Sequence, residues 1–246
     1  MSGKQVYDPT RSWKFTDSNG NLQAAYIHKI NINTQLIYQE LAKVPFTRVY
    51  YISKYSKPNR TPRLTWCYGK VDSSVVKYRG LEFNQEAMPP WLQALSDHCR
   101  QISIINWGFD PGYNSAIIGK YDDSDDQIAF HFDTETFLAH HFCANVTLGY
   151  PRDFQFRTKN PDGTTQTHEI KLGHESVFFF LGLEHALPKR AGVNPGETRY
   201  SISFRNMANT IGIGNSYYYC RGLDGAVDNE LKREYVAKLT QLQSSS

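Results

Sequence analysis

Three side chains in this sequence stand where they could share one metal ion. His131 and Asp133 are two residues apart in the run IAFHFD. Side chains alternate along a β-strand, so a strand here turns His131 and Asp133 to one face and Phe130 and Phe132 to the other. Two imidazoles and one carboxylate on one face of a metal, with the opposite face open, suit non-haem iron oxygenase chemistry. Read alone, His-x-Asp also fits a surface strand that shows two polar residues to water. The third ligand must come from a separate strand. Among the eight histidines, His140 and His141 lie too near in sequence, His168 opens a strand and His174 sits in a Gly-His turn. His185 follows the apolar run SVFFFLGLE, whose end can deliver it to the mouth of a site.

A second constellation follows in RYSISFR. As a strand it sets Arg199, Ser201, Ser203 and Arg205 on one face and the core-like Tyr200, Ile202 and Phe204 on the other. Two arginines on a buried face are costly unless they meet an anion. A dicarboxylate meets that need, because a guanidinium pairs with a carboxylate as a two-pronged fork. Arginines that reach water or pair with Asp and Glu are the other reading. A zinc site from Cys143 with His140 and His141 lacks any standard ligand spacing.

These groups need rigid elements to hold them. Asn33 or Thr34 can cap a helix over NTQLIYQELAKV, with Ile37, Leu41 and Val44 as its apolar stripe. A second helix is predicted from Pro89-Pro90, burying Leu92, Leu95, Cys99 and Ile102. From Ser115 the period becomes alternating. Seven short runs follow, SAIIGKY, IAFHFD, FCANVTLGY, DFQFRT, THEIKLG, SVFFFLG and RYSISFR, which predict a β-sandwich or barrel. A polar helix is expected over Val227–Leu242. The chain reads as helices first, then a double-sheet core.

Residues 1–80 carry thirteen Lys and Arg against four Asp and Glu, a balance of +9, which leaves −6 for the rest of a +3 chain. The excess centres on Lys43–Arg79, where Tyr50, Tyr51, Tyr55, Trp66, Tyr68 and Tyr78 are interleaved. That mixture suits phosphates and stacked bases; a solvated face with tyrosines on strands is the alternative. No apolar run is long enough to span a membrane, and the N-terminus lacks the apolar stretch of a secretory signal. Four scattered cysteines without a C-x-x-C pair fit free thiols. An intracellular protein in a reducing compartment, nucleus or cytoplasm, is expected.

The order and spacing of TPRLTWCYG, YRGLEF, MPPWLQAL, IIGKY, HFDTE, TLGYPRDFQFR, the His185 region and RYSISFR resemble the AlkB family of dioxygenases. The likeness is greatest to the branch that includes the human nuclear DNA-repair homologues. It implies an α+β fold, with a double-stranded β-helix (jelly-roll) core, N-terminal helices and a nucleotide-recognition lid. One domain would then comprise an extension (1–32), helices and lid (33–114), the catalytic core (115–207) and a C-terminal extension with a helix (208–246). The resemblance implies Fe(II) on His131, Asp133 and His185, with 2-oxoglutarate and O2 as cosubstrates. Arg199 and Arg205 match the two arginines that grip 2-oxoglutarate, with Arg199 on the distal carboxylate, and Tyr121 matches a tyrosine that hydrogen-bonds it. Ser201 lines the same site. Gly119 and Ser201 both stand where the family has asparagine, and each replacement removes amide hydrogen bonds. On the substrate side, Glu135 and Tyr78 match residues that contact and stack on the target base. Tyr55 matches the finger that fills the gap left by an extruded base, and Arg63 lies beside it in the motif. The implied activity is oxidative demethylation of N-alkylated bases in DNA or RNA by a monomer, releasing formaldehyde, succinate and CO2. Hydroxylation of another modified base or of a protein, or a non-catalytic reader, are the alternatives.

Overall fold

The computed structural model describes residues 4–52, 58–69, 76–78, 81–83, 87–123, 125–133, 142–190 and 197–206. The chain opens with three short strands, β1 (Gln5–Tyr7), β2 (Trp13–Thr16) and β3 (Leu22–Ile27). Helix α1 (Thr34–Leu41) follows, its first turn capped by the Asn33 side chain, which accepts from Leu36 N. Next come β4 (Thr47–Ile52), β5 (Pro58–Gly69), β6 (Val76–Tyr78) and β7 (Leu81–Phe83). Helix α2 (Pro90–Trp107) starts on an extended Pro89 and stops at Gly108. Gly108 adopts φ 66°, and its N–H closes on Ile104 O. The predicted strands then appear in order: β8 (Ser115–Tyr121), β9 (Ile128–His131), β10 (Phe142–Gly149), β11 (Arg152–Lys159), β12 (Thr165–Leu172) and β13 (Ser176–Leu181). Two more complete the set, β14 (Glu184–Leu187) and β15 (Arg199–Arg205). The helix expected over Val227–Leu242 lies outside the described residues.

The strands form two facing sheets, a jelly-roll core. The major sheet runs β2-β3-β13-β10-β15-β8-β5-β4, the minor sheet runs β1-β12-β11-β14-β9, and β6 and β7 pair as a separate ribbon. Among the described pairings all are antiparallel except β1 with β12. The segment 1–32, expected as an extension, thus supplies strands to both sheets. Likewise β5, from the segment expected to hold helices and lid, pairs with β8 across Leu64–Gly69 and widens the major sheet.

Strand β13 shows why the major sheet needs cover on both sides. Val177 and Phe179 point to one side, Phe178 and Phe180 to the other, and each is at most 2% exposed. Val177 and Phe179 join Ile37 and Leu41 of α1 and Leu92, Leu95 and Cys99 of α2 in one apolar layer. Trp107 closes that layer edge-on against Phe179, 4.8 Å between ring centres. Phe178 and Phe180 join Phe154, Phe156, Ile170 and Leu172 of the minor sheet in a second layer, between the sheets. Each fully buried side chain of this size stabilises the fold by roughly 1.5–3 kcal/mol. The apolar filling occupies the β3–β13 side of that inter-sheet space. Toward β15, β8 and β5 the filling turns polar, and the candidate site begins there.

One turn is set by glycine alone. Gly149 takes φ 86°, and a Cβ there would stand 2.2 Å from Thr198 O, so the backbone passes through space that any side chain would occupy. The neighbouring Tyr150 N donates to the same carbonyl, tying the β10–β11 turn to the start of β15.

Candidate metal centre and oxo-acid pocket

His131 closes β9 and His185 is the second residue of β14, and the two are direct partners in the antiparallel ladder. Direct partners show their side chains to the same face, and here the ring centres lie 4.3 Å apart. A register shift between His185 and Leu187 marks an irregularity at that point, a common way of re-aiming a side chain. Asp133 lies just beyond the end of β9. The ligand atoms of His131, Asp133 and His185 all fall within 4.8 Å of one another, and this is the one such cluster among the described residues.

Both imidazoles are oriented in the same way. His131 Nδ1 donates to Ala129 O at 2.9 Å, and His185 Nδ1 donates to Leu183 O at 2.8 Å. A carbonyl can only accept, so each Nδ1 carries the proton and each Nε2 keeps its lone pair for a metal. Burial, joined by the neighbouring His185, brings His131 down to about 4 against the opposing pull of Asp133. Burial lowers His185 as well. Both rings are therefore neutral at neutral pH, the form that binds metal. Phe154 stacks 5.6 Å from the His185 ring and Phe180 lies 4.7 Å from it, walling its inner side with apolar surface.

Arg205, expected on the cosubstrate, grips Asp133. Its Nη2 donates to Oδ1 at 2.7 Å and its Nε to Oδ2 at 3.0 Å, a two-pronged fork. Burial would raise the Asp133 carboxyl, but Arg205, His185 and His131 outweigh it and hold it at about 2. The ligand is thus kept ionised and fixed in place. Arg205 also sits beside the Cys143 thiol, which burial pushes up to about 12.

Arg199 is the group left in need of an anion. It is 2% exposed, its Nη2 donates to Thr147 Oγ1 at 3.1 Å, and its Nε and Nη1 have no hydrogen-bond partner. The Tyr121 ring lies 5.1 Å from the guanidinium carbon. Burial lowers Arg199 to about 10, partly offset by Tyr121. A buried cation with two unmatched donors costs several kcal/mol, and a carboxylate placed against it would remove that cost. Two neighbouring polar atoms are also unmatched, Asn145 Oδ1 and Thr65 Oγ1. Thr65, Gly119, Ser201 and Thr147 are successive cross-strand partners on β5, β8, β15 and β10, so they share the face that looks toward the minor sheet. Ser201 and Ser203 accept hydrogen bonds of 2.7 and 2.8 Å from Asn145 Nδ2. The donor set fits an iron ion at the triad and a dicarboxylate reaching toward Arg199.

The remaining candidates fall elsewhere. Arg63 reaches the pocket from β5, beside Gly119. Tyr78 ends β6, opposite Leu81 of β7. Tyr55, Glu135, His140 and His141 lie outside the described residues. His168 is a core residue: its Nδ1 meets Tyr7 OH at 3.1 Å and its Nε2 meets Thr158 Oγ1 at 2.8 Å. His174 Nδ1 accepts from Gly149 N. Phe130 carries the Arg157 guanidinium over its ring, and Phe132 is 54% exposed. Sequence reasoning missed Asn145, Thr147 and Thr65. The available signal was polar residues at alternate places in strands otherwise apolar on both faces.

Two facing sheets with a two-imidazole, one-carboxylate cluster and a buried, unmatched arginine between them define the class of non-haem iron oxygenases that use a 2-oxo acid. Comparison with known proteins places the chain within that class. A family model described as the 2OG-Fe(II) oxygenase superfamily matches residues 24–205, and the chain belongs to that superfamily. Its enzymes are dioxygenases with Fe(II) as cofactor and 2-oxoglutarate and O2 as cosubstrates. Within that superfamily the chain resembles AlkB-type demethylases. It is 27% identical over 188 residues to the DNA oxidative demethylase ALKBH2 of Bos taurus, covering 71% of this chain and 64% of that protein. The Homo sapiens counterpart is also 27% identical, over 185 residues, covering 70% and 67%. The chain therefore spans somewhat under two thirds of the bovine relative. Solved structures that resemble it include OsALKBH1, with a TM-score of 0.49 and 15% identity over 75% of this chain and 96% of that one. Another is a 2OG-Fe(II) oxygenase family oxidoreductase from Burkholderia pseudomallei, with a TM-score of 0.48 and 14% identity over 75% and 83%.

Proposed function

We propose that this chain is an Fe(II)- and 2-oxoglutarate-dependent dealkylase of N-alkylated bases in DNA or RNA. The observation that carries the reading is the pairing, inside one inter-sheet space, of the metal-ligand cluster with a buried guanidinium whose Nε and Nη1 are unmatched. Nε2 of His131, Nε2 of His185 and a carboxylate oxygen of Asp133 would hold the iron. Iron bound there would supply the oxidation of an N-alkyl C–H bond by O2, one oxygen atom going to the N-methyl group, which leaves as formaldehyde, and the other to 2-oxoglutarate, which becomes succinate and CO2. Arg199 pairs with the cosubstrate carboxylate remote from the metal, and Tyr121 and Ser201 border it. Arg205 holds Asp133 ionised and aimed. Phe154 and Phe180 keep water from the inner side of His185.

A nucleobase target is supported by the two DNA oxidative demethylase relatives and by the basic, aromatic-rich stretch Lys43–Arg79. A base must leave its stack to reach a metal between two sheets, which favours single strands or weakened pairs. Glu135 and Tyr78 are the residues proposed to contact that base, and Tyr55 the one that fills its place. The test is turnover on single-stranded oligonucleotides carrying N-methylated bases, with formaldehyde and succinate measured together. Equal yields of both are expected, lost in His131→Ala while oligonucleotide binding stays. Full turnover in that variant, or none by the wild type on any methylated oligonucleotide, would refute the reading.

A further inference from the structure

The polar end of the inter-sheet space holds more hydrogen-bond donors than the protein gives acceptors to. Asn145 of β10 is the direct partner of Ser203 on β15, and Ser201 lies two residues along the same face. All three side chains are at most 9% exposed. Asn145 Nδ2 donates to Ser201 Oγ at 2.7 Å and to Ser203 Oγ at 2.8 Å. A primary amide has two hydrogens to give, so both are used, while each serine accepts and keeps its own O–H hydrogen. Neither hydroxyl donates to another group among the described residues. Turning the amide over would let Oδ1, now unmatched, accept from both serines and would free the two Nδ2 hydrogens instead. In either orientation the cluster has two hydrogens to spare, buried where unpaired donors cost free energy. An acceptor brought by a ligand would take them up. Register says where that acceptor lies. Arg199, Ser201, Ser203 and Arg205 follow one another on one face of β15. The two serines thus stand between the unmatched guanidinium and the arginine that holds Asp133, along the span a 2-oxo acid must cross.

Resting on the reading that this pocket holds 2-oxoglutarate, we propose that Asn145 is a positioning residue for that cosubstrate, setting the Ser201 and Ser203 hydroxyls from β10 as donors to the oxygens of the acid. The amide touches the acid only through the serines. By donating to both hydroxyl oxygens it fixes where their hydrogens can point and strengthens them as donors. A doubly charged acid rich in acceptors and without donors of its own is the ligand class that such a surface, ending at Arg199, fits.

The test is calorimetric binding of 2-oxoglutarate to Mn(II)-loaded protein, with no turnover involved. Wild-type binding is the control for the pocket itself; if it is absent, the underlying reading fails and this proposal falls with it. Given wild-type binding, Asn145→Leu, close in size but without the amide, is expected to weaken 2-oxoglutarate by about 10–100-fold, the usual worth of a hydrogen bond to a charged group. Mn(II) affinity should not change, because the metal ligands keep their own partners. In a Ser201→Ala/Ser203→Ala background, itself weakened, Asn145→Leu should cost nothing further, since the amide acts through those hydroxyls. A merely structural role would instead add its loss to theirs. Unchanged 2-oxoglutarate binding in Asn145→Leu would overturn the proposal. So would an equal fall in Mn(II) affinity, which would mean general damage to the site, or a full further loss in the serine-free background. If Asn145→Leu fails to fold, Asn145→Ser and the exchange Asn145→Ser/Ser201→Asn decide. The single variant should bind 2-oxoglutarate more weakly and the exchange should recover it; no recovery would overturn the proposal.

Discussion

At the scale of single residues, the site is built from groups that each need a partner to be useful. His131 and His185 are aimed by the carbonyls two residues before them, and Asp133 by Arg205. Losing such an outer partner typically costs 10–100-fold in metal affinity. Arg205→Met is therefore expected to weaken Fe(II) or Mn(II) binding by about that factor in a folded protein, as measured by metal titration. Unchanged affinity would mean that Asp133 needs no such support. His-x-Asp alone is a weak signal; with His185 it was legible through strand alternation, the later RYSISFR strand and the family resemblance. The Arg205–Asp133 pair was not, since the two are far apart in sequence and only the stacking of the sheets brings them together. Asn145 and Thr147 were overlooked for a different reason. A polar residue on a strand implies nothing until both faces of that strand are known to be buried.

At the scale of elements, the runs that alternate or are wholly apolar were readable, and those too short to show a period were not. All seven strands predicted from Ser115 onward appear, as do the two helices expected before them, each started by the residues expected to start it. The four-residue β14 was missed although it carries His185, because EHAL offers no pattern of its own and exists through its pairing with β9 and β11. The strands β1 to β3 were missed because QVY and WKFT gain their order from their partners, not from local preference. His168 shows how such a docked strand is held, since it bonds Tyr7 of β1 and stacks 4.6 Å from Phe156. Burial lowers the pKa of His168 from its ordinary 6.5. The unfolded chain thus binds a proton more readily than the folded one, and this residue makes stability fall as pH drops below about 6.5. His168→Leu should cost about 1–3 kcal/mol at pH 7.5 through its two lost hydrogen bonds. It should also flatten the fall in stability between about pH 6.5 and 5, as read from urea unfolding. A slope equal to that of the wild type would remove His168 from the acid response.

At the scale of the molecule, the sheets divide their inter-sheet space into an apolar end at β3 and β13 and a polar end at β5, β8 and β15. A two-sheet β core followed from strand count and spacing, and the jelly roll from the family resemblance; the division did not, because it depends on register across four strands. Among the described residues no helix is long and apolar enough to cross a membrane. The charge asymmetry belongs to this scale as well. If the Lys43–Arg79 stretch meets phosphates, affinity for a single strand should fall about tenfold or more between roughly 50 and 200 mM salt. A salt-independent affinity would contradict that role. The central claim, that the triad and Arg199 together hold iron and 2-oxoglutarate, is tested most directly by anaerobic titration of Fe(II) and then 2-oxoglutarate, following the visible metal-to-ligand charge-transfer band. The account predicts a band that needs both additions, vanishes in His185→Ala, and in Arg199→Met appears only at much higher 2-oxoglutarate. Absence of the band in folded wild-type protein given both ligands, or an unchanged band in His185→Ala, would contradict it.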